Sequence, residues 1–144
     1  MKKGIIIISV VIIGILVYLS AVMGKIGGYS EGLNGDVTVY SSGITFENRT
    51  INGNLILSEK IGEGDVSLRE ITVKGRTFIQ GGGQNSIHFI KCTLGDLVID
   101  KKNEPVRVVS SPDSHIGVVD VNSSAILEGT FESIDIAKPG IDVT

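Results

Sequence analysis

The chain is short of cysteine, tryptophan and aromatic surface, and each shortage closes off a class of function. Cys92 is the sole cysteine among 144 residues. One thiol makes no internal disulfide and no CxxC metal site. Tryptophan is absent and the other aromatics are few, which argues against a pocket for a drug-sized ligand. Lys and Arg are scattered, the formal net charge is -3, and no basic stripe is interleaved with aromatics. No nucleic acid is therefore expected as a partner. No GxSxG elbow and no GxxxxGK[ST] loop occurs, so neither a serine-hydrolase nor a P-loop reading has a footing.

Long apolar runs are also missing, with one exception. Residues 5–23 carry no charge and are dominated by Ile, Val and Leu, behind Lys2 and Lys3. As a helix this run spans about 28 Å, the thickness of the bilayer's hydrocarbon. β-Branched side chains lower helix propensity in water, but in lipid the backbone must satisfy its own hydrogen bonds. A cleaved signal peptide has a shorter apolar region and a small-x-small site. Ser20-Ala21-Val22 followed by Met23 is a poor one, so residues 1–23 are expected to be an uncleaved, single-pass transmembrane anchor. Lys2 and Lys3 favour an N-terminus held inside, which puts the C-terminal body on the extracytoplasmic side of the cell membrane. Residues 24–35, rich in Gly, read as a flexible linker.

Residues 36–144 form the remaining domain, and from about residue 45 it repeats loosely every 18–22 positions, inside the range of stacked-repeat proteins. Val66-Ser67-Leu68, Ile71-Thr72-Val73 and Phe78-Ile79 overlay Ile87-His88-Phe89, Cys92-Thr93-Leu94 and Leu97-Val98-Ile99. Val106-Arg107-Val108 with Ile116-Gly117-Val118, and Ala125-Ile126-Leu127 with Ile134-Asp135-Ile136, continue the series. Within each unit apolar residues alternate with polar ones, the mark of a half-buried strand. Lys74-Gly75, Gly81-Gly82-Gly83, Lys101-Lys102-Asn103 and Asn122-Ser123-Ser124 separate the segments as turns. Segments this short suit a coil better than a β-sandwich. The expectation is an all-β fold: a short right-handed parallel β-helix of four or five coils over residues 35–136. Leu68, Phe89, Val108 and Leu127 are expected in one inward column. Cys92, at the level of Ile71, reads as a small buried hydrophobe. Val37-Thr38-Val39-Tyr40 is the expected N-terminal cover, and the C-terminal cap after Ile136 is thin.

The block from Ile71 to Leu94, with Gly81-Gly82-Gly83 and Asn85-Ser86-Ile87-His88, followed by Lys101-Lys102 and Val106-Arg107-Val108-Val109, resembles the β-helical segments of Gram-positive, S-layer-associated surface proteins. The resemblance covers residues 64–127. It implies a surface-exposed structural coil and no catalytic residue. A coil behind an anchor is similar in architecture alone to bactofilins, the polymer-forming scaffolds.

Candidate chemistry is sparse. His88 and His115, the only histidines, occupy different repeat positions and are expected to face solvent. Asp96, Asp100, Asp120, Glu128 and Asp135 are the acids to weigh, because glycosidases act through paired carboxyls, one with a raised pKa. Outward acids also keep a coil soluble, and that is the expectation here. Asn48-Arg49-Thr50 and Asn122-Ser123-Ser124 match the glycosylation sequon. Phe46, Phe78, Phe89 and Phe131 mostly fall at core-type positions, which counts against stacking on sugars. No catalytic, cofactor-binding or metal-binding residue is assigned, and no cofactor is expected. The expected function is a non-catalytic, membrane-anchored structural or scaffold protein of the cell surface, with self-association through the coil ends. Binding of an extracellular glycan or cell-wall polymer is the alternative, and a polysaccharide-active enzyme a remote third.

Overall fold

The computed structural model describes residues 28–32 and 34–144. The expected transmembrane helix at residues 5–23 lies outside the described residues. Among the described residues no helix is long and apolar enough to cross a membrane.

Alternation and β-branching produce short strands: β1 (Tyr29–Glu31), β2 (Val37–Val39), β3 (Ile44–Ile51), β4 (Leu55–Leu57), β5 (Val66–Val73), β6 (Thr77–Ile79), β7 (His88–Ile90), β8 (Thr93–Leu94), β9 (Leu97–Ile99), β10 (Val106–Ser110), β11 (His115–Ile116), β12 (Val118–Val121), β13 (Ala125–Glu128) and β14 (Ser133–Ile136). They wind into a β-solenoid of about four turns. The first sheet runs β1-β2-β4-β6-β9-β12-β14, and the second β11-β8-β5-β7-β10-β13 with β3 on β5. Every pairing is parallel except β1 on β2. A sandwich of antiparallel hairpins is thereby excluded.

Each turn of chain gives one strand to the first sheet and a bent strand, or a pair of strands, to the second. The bend is made by residues in the left-handed region: Asn48 (φ 56), Glu70 (φ 53) and Lys91 (φ 54). They occupy the same level of successive turns, because Glu47 pairs with Arg69 and Arg49 with Ile71, while Arg69 pairs with Ile90 and Thr72 with Thr93. Asn tolerates this conformation; Glu and Lys adopt it at a cost of about 1–2 kcal/mol each.

In-register stacking makes continuous inward columns. Val39, Leu57, Ile79, Ile99, Val121 and Ile136 form one on the first sheet. All but Ile136 are buried. Each such side chain contributes about 1.5–3 kcal/mol of hydrophobic stabilisation. The predicted column of Leu68, Phe89, Val108 and Leu127 divides into two. Leu68 stands on Phe89, but Phe89 stands on Ser110, two residues past the expected Val108. Val108 pairs with Leu127 in the neighbouring column. A shift of two preserves the face of every side chain, so alternation cannot reveal it. Cys92 is buried at the level of Ile71, as expected.

Polar side chains seal the corners. Asp36 Oδ1 accepts from the Asn54 amide at 2.7 Å, and Asn54 Oδ1 from the Arg76 amide at 2.8 Å. Ser114 Oγ accepts from Cys92 N at 3.0 Å and Ser123 Oγ from Lys101 N at 2.9 Å. Backbone donors that the strands leave unpaired at the turns are thus satisfied by the neighbouring turn.

The two ends differ. At the N-terminal end β1, inside the stretch read as a linker, lies antiparallel on β2. It supplies the cover expected from Val37-Thr38-Val39-Tyr40, whereas Val37–Val39 is itself the first rung of the coil. Tyr29 meets Phe46 edge-on at 4.8 Å, and the Arg49 guanidinium lies over both rings while binding Glu31. At the C-terminal end, residues 142–144 add to the edge of β13: Ala125 N donates to Asp142 O at 3.0 Å and Leu127 N to Thr144 O at 2.9 Å. β14 has no such cover among the described residues, and Ile134 and Ile136 are 44% and 53% exposed.

Candidate functional site

The outer face of the first sheet brings together three of the residues singled out in the sequence, Phe78, Asp120 and Asp135. Register stacks Thr38, Ile56, Phe78, Val98, Asp120 and Asp135 in one outward column. Phe78 is half-buried between buried Thr77 and Ile79. Its expected core position is therefore corrected: Thr77 takes the inward place, level with Leu55 and Leu97. Phe46 and Phe89 are buried as expected, and Phe131 packs partly buried against the core.

Arg76 organises this face. Its guanidinium lies 5.8 Å from the centre of the Phe78 ring, bonds Asp120 at 2.8 Å and faces Asp96 at 3.6 Å. Three turns of the coil are tied by one side chain. On the second sheet Arg107 holds Glu128 through two bonds of 2.7 and 2.6 Å. The hydrogen bonds from Arg107 hold the Glu128 carboxyl below its usual range. A general acid needs the opposite shift. Asp100 is exposed just past the end of β9, and Asp135 is exposed on β14. The acids are thus distributed over two sheets and several turns, and the best-placed ones are engaged by arginine.

His88 is half-buried on the outward side of β7, with Nε2 2.7 Å from Asn85 O. His115 is exposed on β11, in another part of the second sheet. Among the described residues no three His, Cys, Asp or Glu are grouped to hold a metal ion. Cys92 Sγ donates to Leu68 O at 3.3 Å, and burial pushes the thiol pKa up, away from the reactive thiolate. Asn48 is exposed at the left-handed bend of β3, and Asn122 is half-buried after β12.

The loop between β6 and β7 explains its glycines sterically. Gly81, Gly82 and Gly83 are buried. A Cβ on Gly83 would strike the Glu63 carbonyl one turn away. Gly83 N instead donates to Ser86 Oγ at 2.7 Å. Beside this loop lies Lys101, a residue the sequence reading left as a turn. Its side chain is 4% exposed, and its ammonium bonds Glu63 at 2.6 Å and Glu104 O at 2.7 Å. Glu59, Gln80, Lys102 and Asn103 complete a shallow hollow of about 230 Å³. No pattern at the level of sequence marked it, because its parts come from three successive corners.

The chain matches no family model, curated protein or solved structure.

Proposed function

We propose that this chain is a non-catalytic structural scaffold of the cell surface, held at the membrane by residues 5–23 with its coil on the outer side. The observation that carries the reading is how the polar side chains are used. Arg76 joins Asp96 and Asp120, Arg107 joins Glu128, Lys101 joins Glu63, and Asp36, Asn54 and the corner serines accept from neighbouring turns. Each link ties one turn to another. Chemistry-bearing groups are engaged in holding the rod together, which is what a passive display or spacing element requires. The likeness of residues 64–127 to the coils of Gram-positive surface proteins agrees with this reading. Labelling of intact cells with a membrane-impermeant maleimide tests it. An Asp113→Cys variant, at an exposed turn, labels without lysis if the coil is outside. Labelling that requires lysis removes the surface role.

A second reading is favoured by Phe78. An outward ring beside Arg76, with Gln80 and Asp100 in the adjoining column, is a surface on which a cell-wall glycan can stack and hydrogen-bond. Co-sedimentation with insoluble wall polymer separates the two. Binding lost in Phe78→Ala supports the glycan surface, and equal retention of both proteins dismisses it.

A further inference from the structure

We propose that the open edge of β14 pairs with β14 of a second copy about a two-fold axis, so that the coil closes as a tail-to-tail dimer. Four strand residues, Ser133 to Ile136, form the last rung of the first sheet; they pair with β12 on one side, carry no strand on the other among the described residues, and are all exposed. Ile134 and Ile136 are the large hydrophobic side chains left exposed among the described residues. They continue the inward columns of Val119 and Val121, so they are core residues that lack the next turn. Exposed edges of this kind are normally covered or charged. The neighbouring β13 is covered, by residues 142–144; β14 is not covered among the described residues, and Asp135 is the one charge on it.

The occupant follows from what each end presents. The N-terminal end carries Tyr29, Glu31 and Arg49 as a polar, ion-paired plug over Phe46. Head-to-tail stacking would press Ile134 and Ile136 onto that charge. Tail-to-tail pairing instead brings isoleucine onto isoleucine, because antiparallel strands related by a two-fold axis keep inward residues opposite inward residues. The chain's own N-terminal segment cannot serve if residues 5–23 are in the membrane. Four residues span about 14 Å at most, and β14 lies six ladder steps from β1, about 29 Å. The same polar plug argues against a filament: a two-fold contact at one end closes the assembly.

The pairing deepens the scaffold reading by naming its partner; it rests on the anchor in excluding the N-terminal segment as the occupant, and the crosslinking test reads the pairing directly. Single cysteines at Ile134, Asp135 and Ile136, and one at Ser30 on β1, test it in the full chain in detergent micelles under mild oxidation. Cys92 is buried and stays silent. Only a residue on the two-fold axis meets its own copy. The expected result is a disulfide dimer at one of the three β14 positions, several-fold stronger than at the other two, and none at Ser30. Mixed disulfides between Ser30→Cys and a β14 variant would mean head-to-tail stacking and overturn the proposal. No β14 crosslink, with a single monomeric species in sedimentation across concentration, would also overturn it, and would leave surface display by a monomeric coil intact.

Discussion

Thr77→Val should make the protein more stable, although it touches a fully buried position. Thr77 is 0% exposed, and its Oγ1 finds no hydrogen-bond partner among the described residues. Its neighbours in the column are Leu55 below and Leu97 above, both also 0% exposed. A buried hydroxyl without a partner costs about 1–3 kcal/mol. Valine keeps the branched shape and the preference for a strand. Replacing the hydroxyl with a methyl removes the orphan and adds apolar surface to a column whose other members, Val37, Leu55, Leu97, Val119 and Ile134, are all aliphatic. The expected gain is about 1–3 kcal/mol, read as a higher urea midpoint with unchanged slope. Thr72→Val and Thr93→Val, at exposed positions, serve as controls and should stay within about 0.5 kcal/mol of the parent. If Thr77→Val is neutral or destabilising, the hydroxyl has a hidden partner such as a buried water, and the column is not dry.

Phe89→Ala should cost about 3–5 kcal/mol in the same melts, since the ring is 0% exposed between Leu68 and Ser110. His88→Ala, which loses one partly exposed bond to Asn85 O, should cost about 0.5–1.5 kcal/mol. Glu70→Gly should be neutral to stabilising, by up to about 1 kcal/mol, because relief of the left-handed bend outweighs glycine's extra unfolded-state freedom; a clear loss would show that the bend is not strained. Hydrogen bonds from Arg107 depress the Glu128 pKa below its ordinary 4.5. A depressed carboxylate stabilises above its unfolded pKa, and that contribution fades as pH falls through the folded value. Stability should therefore decline from about pH 4.5 downward, with a shallower decline in Glu128→Gln.

The sequence made the coil legible through features that stacking itself demands. Short alternating segments, turns at Lys74-Gly75 and Asn122-Ser123-Ser124, and a repeat near twenty residues all reflect one turn of chain lying on the next. The burial of Cys92 followed from its level with Ile71. What stayed hidden has physical causes. The two-residue slip that puts Ser110 on Phe89 leaves every face unchanged. Phe78 outranks Thr77 in hydrophobicity, yet register with Leu55 and Leu97 turns the threonine inward. The left-handed bends at Glu70 and Lys91 use residues with no preference for them, so nothing local announces them. β1 hides in a glycine-rich stretch because its pairing partner, not its composition, makes it a strand. Arg76 reaches Asp120 across 44 residues of sequence, a link that only the coil brings together.

The most direct test of a membrane-held scaffold is the state of the chain in the membranes of cells that make it. Alkaline carbonate extraction followed by N-terminal sequencing reads both attachment and processing. The account predicts a chain that stays in the pellet and retains residues 5–23. A soluble chain that begins near Gly24 would contradict it.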